Sequence, residues 1–393
     1  MRIKLSVVGA ALGLSVVLLG SGLQAGTAAA ASDYAGSETC KKCHAAEFKS
    51  WMGSYHSKMV RTQEQGILKA VVEKWSTDGA NAGPTTGNVT GATFTLKDVV
   101  YVVGSKWKQR FLVKDDSTGG HQFLNKQFNR MSGKWENYGN KNDWETMCAT
   151  CHSTGYRLTA YDSANPKAQK AEWSELSVGC EACHGPGAAH AKSRAKKDIF
   201  SFSGKSKAEQ SRVCGYCHIR VENEQYKSAQ GSPREDIPAP KVGDSFKPTD
   251  DWTKWYPEHI IIPGVQAEDR IDADYKGDLK GLVLKDELAK AMGAFDAAKH
   301  HQEYQDLLQS KHYKANVAGC VDCHTPHAGK KIAVKNPAQT CAKCHDASYS
   351  VEKHMPATGK TADNLFVRTH TFNKNQTRPG GPTAKGEPEY FNK

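Results

Sequence analysis

All twelve cysteines of this chain of 393 residues fall into one pattern, Cys-x-x-Cys-His, which occurs six times. Two thiols at positions i and i+3 lie on the same face of one helical turn, so both can form thioethers to the vinyl groups of one porphyrin. The histidine that follows can then bind the iron, whereas zinc sites and disulfides do not require a histidine after every second cysteine. The pattern therefore predicts six covalently attached c-type haems. The thioether residues would be Cys40, Cys43, Cys148, Cys151, Cys180, Cys183, Cys214, Cys217, Cys320, Cys323, Cys341 and Cys344, and the proximal iron ligands His44, His152, His184, His218, His324 and His345.

The spacing of the motifs predicts which of them lie close together. Segments of 103, 27, 29, 101 and 16 residues separate successive motifs. Short tethers should hold motifs two to four near one another, and likewise motifs five and six. Only 38% of the residues are hydrophobic, which is lean for a chain of this size unless porphyrins fill the interior. We expect a mainly α fold with much irregular structure, wrapped around six haems.

The residue pattern between the motifs predicts a division of the chain. A small antiparallel β insertion is expected near residues 89–114, where β-branched and aromatic runs cover 92–96, 99–103 and 107–113. Helices are expected over 166–177, 206–218 and 283–313. The predicted division is a signal peptide over 1–31, a four-haem region over 32–230, a linker or long loop over 231–264, a two-haem region over 265–376 and a disordered tail over 377–393.

The N-terminus has the pattern of a secretory signal peptide. Arg2 and Lys4 precede an apolar stretch from Leu5 to Leu19, and a run of small residues ends near Ala31. The apolar stretch is shorter than the roughly 20 residues that a membrane-spanning helix needs. We therefore expect export, with a mature chain that has no stable membrane insertion and resides in the periplasm or outside the cell. The net charge of +11 offsets the propionates of six haems, so it does not indicate a nucleic-acid partner.

Ten histidines lie outside the motifs, and six of them would suffice to give every iron a second axial ligand. A methionine could serve instead and would raise the potential, but histidine is better supplied. The ten are His56, His121, His190, His259, His300, His301, His312, His327, His354 and His370. The residues alone leave the choice among them open.

Several segments resemble a family of exported multihaem cytochromes. Gly36–Cys40, the Trp-x-x-Ser-Tyr-His sequence that ends at His56, and Gly179–His190 are similar to segments of proteins related to hydroxylamine oxidoreductase, octahaem tetrathionate reductase and the tetrahaem cytochrome of ammonia oxidisers. Val103–Arg110 with Trp144, Gln309–His312, Cys320–His327 and Arg368–Phe372 resemble a less characterised branch of the same superfamily. The resemblance extends over residues 36 to 372 and is most specific at the motifs.

The resemblance implies which histidines bind iron from the distal side. Histidines in Ser-x-His, His-Gly-Pro-Gly-x-x-His and Cys-His-x-Pro-His sequences serve as distal ligands in such relatives, often to a neighbouring haem. The implied distal set is His56, His190, His312, His327, His354 and His370. His121, His259, His300 and His301 remain in reserve. His301 is the first substitute, because His300 and His301 lie on the same predicted helical run as His312.

The chain departs from the catalytic relatives in two respects. It has no Cys-x-x-Cys-Lys motif, which marks the catalytic haem of cytochrome c nitrite reductase, and it has six motifs where hydroxylamine oxidoreductase has eight. With enough histidines to saturate six irons, the sequence favours an electron carrier over an enzyme. Its partners would be a membrane quinol oxidoreductase or other cytochromes, and a homo-oligomer or filament of stacked haems is compatible with it. The alternative is a haem oxidoreductase that acts on nitrite, hydroxylamine or a sulfur oxyanion at one iron with an open position.

Overall fold

The computed structural model describes most of the chain from residue 33 onwards. The described residues are 33–62, 75, 82–141, 144–162, 164–165, 169–219, 222–227, 233–235, 240–255, 301–327, 336–346, 349–361 and 364–372. The predicted signal peptide, the predicted tail over 377–393, much of the predicted linker, and His259 and His300 lie outside them. Within the described ranges, no helix has both the length and the apolar character needed to cross a membrane.

The helices are short, and half of those in the described residues contain part of a Cys-x-x-Cys-His turn. In the described part of the chain they contain four to nine residues. Fourteen strands accompany these twelve helices, so the prediction of a mainly α fold is not confirmed. The helices are Ser37–Cys40, Ala45–Met52, Trp144–Met147, Ala149–His152, Cys180–His184, Ala188–Ser193, Lys207–Gly215, Glu303–Gln309, Lys311–Lys314, Cys320–Cys323, Pro337–Cys341 and Val351–His354.

The β insertion is larger than predicted and forms a six-stranded antiparallel sheet. Its strands are β1 (Val60–Thr62), β2 (Val99–Val103), β3 (Lys108–Asp115), β4 (Gly120–Phe123), β5 (Lys126–Asn129) and β6 (Lys134–Asn137). The order is β1-β2-β3-β5-β6, with β4 also paired to β3. The predicted strands over 99–103 and 107–113 are confirmed. The one over 92–96 is wrong as a strand, because within it only Thr93 forms a bridge, with Thr86. Leu96 already begins the 3-10 turn Leu96–Asp98, which Thr95 and Asp98 close with a capping box.

Alternation along the strands gives the sheet two apolar faces. One face carries Val99, Phe111 and Val113 into a cluster with Leu124 and Phe128. The other face carries residues such as Val103 and Leu112 into a cluster that also contains Trp144, Ala149 and Leu158. Successive side chains of a strand point to opposite faces, and here both faces carry a buried apolar cluster. The second face packs directly on the helices that hold the second Cys-x-x-Cys-His motif.

The remaining strands form four short hairpins. They pair Ser153–Thr154 with Glu175–Leu176, Arg157–Ala160 with Lys170–Glu172, Glu222–Lys227 with Pro233–Glu235, and Ala357–Thr361 with Asn364–Arg368. Two of these strands occupy the range over which a helix was predicted, residues 166–177, so that prediction is wrong. Ala171 and Trp173 pack against the cluster around Trp144, and Glu172 pairs with Arg157. These long-range contacts override the local preference for a helix.

The helices predicted over 206–218 and 283–313 correspond to helices in the described residues. Helix Lys207–Gly215 matches the range 206–218 and begins at Ser206, whose hydroxyl accepts from the amide of Glu209 while the Glu209 carboxylate accepts from Ser206. The long helix expected over 283–313 falls partly outside the described residues. In its described part, helix Glu303–Gln309 ends at Ser310, which caps a separate short helix, Lys311–Lys314.

Contacts join the two predicted haem regions, both directly and through the predicted linker. Lys207 pairs with Asp322 at 2.7 Å, and the indole of Trp252 donates to the carbonyl of Arg212 at 2.8 Å. Tyr304 packs among Tyr216, Ile219 and Trp252. The described parts of the N-terminal and C-terminal regions therefore share an apolar cluster.

Candidate haem-binding sites

Each Cys-x-x-Cys-His motif folds as a single helical turn. We number the motifs, and the sites they define, 1 to 6 in chain order. The histidine amide donates to the carbonyl of the first cysteine at 2.9, 3.2, 3.0, 2.8 and 2.9 Å in sites 1, 2, 4, 5 and 6, and the third motif forms helix Cys180–His184. The two thiols and the imidazole therefore occupy one turn, as the spacing predicts.

Every motif histidine faces a second histidine from another part of the chain. The pairs, with the distance between ring centroids, are His44 and His190 (6.3 Å), His152 and His301 (6.5 Å), His184 and His327 (6.0 Å), His218 and His56 (6.4 Å), His324 and His370 (6.2 Å), and His345 and His312 (5.9 Å). His301 also lies 6.4 Å from His218. Since His218 already has His56 opposite it, one-to-one pairing leaves His301 for His152.

These separations fit an iron held between two imidazoles. Rings in direct van der Waals contact would lie about 3.5–4 Å apart. Two nitrogen–metal bonds of about 2 Å, plus about 1 Å from each nitrogen to its ring centre, place the centroids about 6 Å apart. The angles between paired ring planes run from 15° to 81°. Rotation about the ligand axis leaves the bond intact, so this spread is compatible with axial ligation, and the residues present fit a haem iron.

Hydrogen bonds at Nδ1 turn the other ring nitrogen towards the gap. The Nδ1 atoms of His184, His190 and His370 lie 3.0 Å from the backbone carbonyls of Phe200, Ala195 and Arg368, respectively. A carbonyl only accepts, so Nδ1 carries the proton and Nε2 presents its lone pair to the metal. These contacts set both the tautomer and the orientation that iron ligation requires.

Burial keeps several of these imidazoles in the neutral, ligating form. It lowers the pKa of His56 to about 4, with smaller contributions from the nearby His218 and His324. Burial is also the largest cause of the lowered pKa of His184, His312 and His370. A neutral imidazole is the form that binds a metal, so the interior favours ligation.

His218 has a carboxylate as its Nδ1 partner. Its Nδ1 lies 3.3 Å from Oε2 of Glu303. Burial alone would lower the pKa of His218, but the hydrogen bond and the charge of Glu303 raise it overall. Burial would likewise raise the pKa of Glu303, and the hydrogen bond and charge of His218 instead lower it to about 2.

Five of the six distal histidines implied by the family resemblance lie opposite a motif histidine, and one does not. It brings His56, His190, His312, His327 and His370 opposite motif histidines, whereas the ring of His354 lies 4.3 Å from that of Tyr349, which stacks on His345 at 3.9 Å. His301, held in reserve by the sequence analysis, faces His152 instead. Its position at the start of the segment that leads to His312 was the available signal. His121, another reserve, lies outside these pairs and contacts Glu145 at 2.6 Å.

Contacts between cysteines show which sites are neighbours. The thiols of Cys40 and Cys180, of Cys151 and Cys217, and of Cys214 and Cys320 lie within hydrogen-bonding contact. These contacts join site 1 to site 3, site 2 to site 4 and site 4 to site 5. Cys183 of site 3 also lies near Cys214 and Cys217, so sites 3 and 4 are neighbours.

The contacts of site 1 with site 3 and of site 4 with site 5 share the same serine hydrogen bond. The hydroxyl of Ser37, three residues before Cys40, accepts from the amide of Cys180 at 3.1 Å. The hydroxyl of Ser211, three residues before Cys214, accepts from the amide of Cys320 at 3.2 Å. Sequence reasoning missed this repeat. Its signal is a serine three residues before the first cysteine of sites 1 and 4, and a glycine directly before the first cysteine of sites 3 and 5.

The glycine before each partner motif is required by this close approach. A Cβ atom on Gly179 would lie 2.8 Å from Ser37 Oγ, and one on Gly319 would lie 2.5 Å from Ser211 Oγ. Real Cβ atoms do not come this close to other heavy atoms. Glycine therefore allows the two turns to pack with their first cysteines in contact.

Sites 5 and 6 are joined through an aromatic side chain. The ring of Phe372 lies 4.7 Å from that of His312 and 6.1 Å from that of His370. At the two ends of the series, Cys43 of site 1 and Cys344 of site 6 are exposed, whereas the other ten cysteines are partly buried. The sites thus form a connected set with its first and last members at the surface.

Two protein families match parts of the sequence. The family described as "Cytochrome c554 and c-prime" matches residues 39–87 and 114–185, which contain motifs 1 to 3. The family described as "Doubled CXXCH motif" matches residues 312–359, which contain motifs 5 and 6. No curated protein matches the sequence.

Two solved structures are similar to this chain. The outer cell wall cytochrome OcwA is 21% identical to this chain, with a TM-score of 0.53 over 83% of this chain and 70% of that one. An undecahaem cytochrome from the S-layer of Carboxydothermus ferrireducens is 20% identical, with a TM-score of 0.41 over 84% of this chain and 45% of that one. The likeness to the cell-wall cytochrome shows a shared fold, and the narrower resemblance to hydroxylamine oxidoreductase stays a hypothesis.

Proposed function

We propose that the chain is a multihaem c-type cytochrome that binds six haems and passes single electrons along them outside the cytoplasm. The observation that carries this proposal is the set of six histidine pairs, one at each Cys-x-x-Cys-His turn, with ring centroids 5.9 to 6.5 Å apart. Each iron would supply a one-electron Fe(III)/Fe(II) couple. The chain's own residues tether the porphyrins, saturate the irons and hold neighbouring sites in contact.

We assign the distal ligands from the pairs. They are His56, His190, His301, His312, His327 and His370, opposite the motif histidines of sites 4, 1, 2, 6, 3 and 5. His301 thereby takes the role that the family resemblance had implied for His354. Most of these ligands come from a segment near a different motif, and each of those ties two sites together.

The neighbouring sites define a route for electrons. Sites 1 and 3 meet at Cys40 and Cys180, sites 4 and 5 meet at Cys214 and Cys320, and Cys183 of site 3 lies near Cys214 of site 4. The ring of Phe372 then joins site 5 to site 6. Site 2 lies beside site 4. An electron that enters at site 1 can leave at site 6, or travel in reverse, because both ends are at the surface.

The surface around site 1 suits an acidic redox partner. Lys41 and Lys42 lie inside the first motif, and the helix that supplies His190 continues into an exposed basic stretch. The exposed basic residues of this surface are Lys41, Lys42, Lys192, Arg194, Lys196 and Lys197. Opposite charges accelerate the encounter of redox partners. A periplasmic or extracellular cytochrome, or a membrane quinol oxidoreductase, would dock there.

Two observations support the proposed location outside the cytoplasm. The N-terminal sequence is typical of a signal peptide. The cytochrome with which the chain shares its fold is described as belonging to the outer cell wall.

The alternative of a haem enzyme requires an iron with an open coordination position. All six motif histidines belong to the described residues, and each has a histidine opposite it. No specific observation therefore favours turnover of nitrite, hydroxylamine or a sulfur oxyanion.

The proposal is tested by haem content and iron spin state in the purified holoprotein. Intact mass should exceed that of the mature polypeptide by six haem units, and thiol titration should find no reactive cysteine. Electron paramagnetic resonance of the ferric protein should show low-spin iron only, unchanged by cyanide or nitrite. Fewer haems, or a high-spin signal that responds to these ligands, would contradict the bis-histidine carrier.

A further inference from the structure

Glu303 lies against an axial histidine of the site that has the most neighbours. We propose that Glu303 is a positioning residue that lowers the reduction potential at site 4 by accepting the Nδ1 proton of His218. This inference rests on the proposed function, in which His218 and His56 bind the iron of site 4. It adds a difference between the sites, because a run of chemically equal sites would have no preferred resting place for an electron.

The geometry directs the carboxylate at the ligand from the side opposite the metal. Oε2 of Glu303 lies 3.3 Å from Nδ1 of His218, and the ring of His56 lies 6.4 Å away. With Nε2 bound to iron, Nδ1 carries the ring proton and donates it towards the carboxylate. An ionised acceptor draws the proton more strongly than a neutral one, so the ring gains imidazolate character. A more basic ligand stabilises Fe(III) relative to Fe(II), which lowers the potential.

Other axial histidines have a different acceptor. The Nδ1 atoms of His184, His190 and His370, at sites 3, 1 and 5, each face a backbone carbonyl at 3.0 Å. A carbonyl is neutral, and at equal length its hydrogen bond is roughly half as strong as one to a carboxylate. Site 4 should therefore be more reducing than sites 1, 3 and 5 on account of this contact.

The fold holds Glu303 in this position from several directions. The amide of Tyr304, the residue after Glu303, donates to the carbonyl of His218 at 2.9 Å. The backbone beside Glu303 is therefore hydrogen-bonded to the backbone of His218. Tyr304 is 2% exposed and packs against Trp252, with ring centroids 5.7 Å apart. The side chain of Glu303 is 24% exposed. Partial burial of the carboxylate strengthens its electrostatic effect on the nearby iron.

The same helix also supports neighbouring sites. Three residues further on, the carboxylate of Asp306, fully buried, accepts from the amide of His370 at 3.0 Å. The charge of Glu303 reaches His370 as well. His370 faces site 5, so we expect a weaker effect of Glu303 there.

The test is Glu303→Gln in the full-length holoprotein, followed by potentiometric titration with optical and electron paramagnetic resonance detection. The amide keeps the shape and an acceptor oxygen but removes the charge. One midpoint potential should rise by at least about 59 mV, which for a one-electron couple corresponds to a tenfold change in the ratio of reduced to oxidised iron. The low-spin signal of that site should shift at the same time, because the ligand field of His218 changes.

A matched control is Glu145→Gln. Glu145 is 7% exposed and contacts His121 at 2.6 Å, a histidine that we do not assign to iron, close to site 2. It removes the same charge beside a site without touching a ligand, so its effect on potentials should be clearly smaller. Equal shifts in the two variants would reduce the effect to charge loss and overturn the role through His218.

A second variant, Glu303→Asp, guards against a folding defect in the first. It keeps the charge but shortens the reach to Nδ1, so the potential should again rise while six low-spin irons remain. Unchanged potentials in both Glu303 variants, with six low-spin irons present, would overturn this inference alone. Fewer than six low-spin irons in the unmodified protein would instead contradict the proposed function.

Discussion

The ring of His301 lies 6.5 Å from that of His152, across a gap of the width that an iron requires. His301 has a φ angle of 65°, in the left-handed region that a residue with a Cβ adopts only at a cost of about 1–3 kcal/mol. This bend lies just before helix Glu303–Gln309 and turns the imidazole towards site 2. Residues held in such conformations cluster at ligand-binding positions, where the surrounding structure compensates for the strain.

We expect His301→Ala to convert one of the six irons, that of site 2, from low spin to high spin. The loss of one axial imidazole leaves an open position, which cyanide should then fill. Electron paramagnetic resonance and the absorbance of the ferric protein with and without cyanide provide the measurement. The matched control is His354→Ala, which should leave all irons low-spin because His354 stacks on Tyr349. The reverse result would return the ligand role to His354.

Substitution of the glycine that precedes the fifth motif should destabilise the fold. In Gly319→Ala the new Cβ would lie 2.5 Å from Ser211 Oγ and 2.9 Å from the carbonyl oxygen of Lys207, which is backbone and cannot easily move. We expect a loss of about 1–3 kcal/mol in the free energy of unfolding, as for overpacking elsewhere. Chemical denaturation of the holoprotein provides the measurement.

The control for this prediction is Gly139→Ala, where no heavy atom lies within 4 Å of the added Cβ. Its effect should stay within about 0.5 kcal/mol. A Gly319→Ala protein as stable as this control would show that the turns of sites 4 and 5 do not require the close approach.

Reversal of the basic charge near site 1 should slow electron exchange with anions. We expect the double substitution Lys196→Glu and Lys197→Glu to slow oxidation of the reduced protein by ferricyanide about threefold to tenfold at low ionic strength, with the difference shrinking as salt screens the charges. Stopped-flow absorbance provides the rate. Lys114→Glu with Lys134→Glu, two exposed lysines on strands β3 and β6, changes the net charge equally and should have a smaller effect. Equal slowing in both proteins would argue against an entry point at site 1.

Stability should fall between pH 10 and pH 12 in a way that depends on Tyr34. Burial, followed by the negative charge of Glu181, raises the pKa of Tyr34 from 10.0 to about 12. The unfolded chain therefore loses the phenol proton from pH 10 upwards while the folded chain retains it, so the contribution is present below pH 10 and is lost as the pH rises towards 12. Urea titrations at several pH values measure this, and Tyr34→Phe should flatten the decline by about 1–2 kcal/mol. A decline of equal steepness in Tyr34→Phe would contradict the assignment.

The sequence by itself determined the local features of the sites. Cys40–His44 and its five counterparts fold as single turns because the spacing of two thiols and an imidazole is a property of one helical turn, with no help from distant residues. The strands at Val99–Val103 and Lys108–Asp115, and the capped start of helix Lys207–Gly215, were likewise readable from neighbouring side chains. Such features have their cause within a few residues.

Only the tertiary structure decided which histidine faces which motif and which sites are neighbours. Spacing along the chain predicted that motifs two to four would cluster, yet site 1 contacts site 3 through Cys40 and Cys180, and site 4 contacts site 5 across 101 intervening residues. His301 and His354 look alike in the sequence, and their surroundings differ because His354 stacks on Tyr349 while a bend with positive φ directs His301 towards His152. A partner across an iron comes from a distant segment, and no local periodicity records where the packing of that segment will place it.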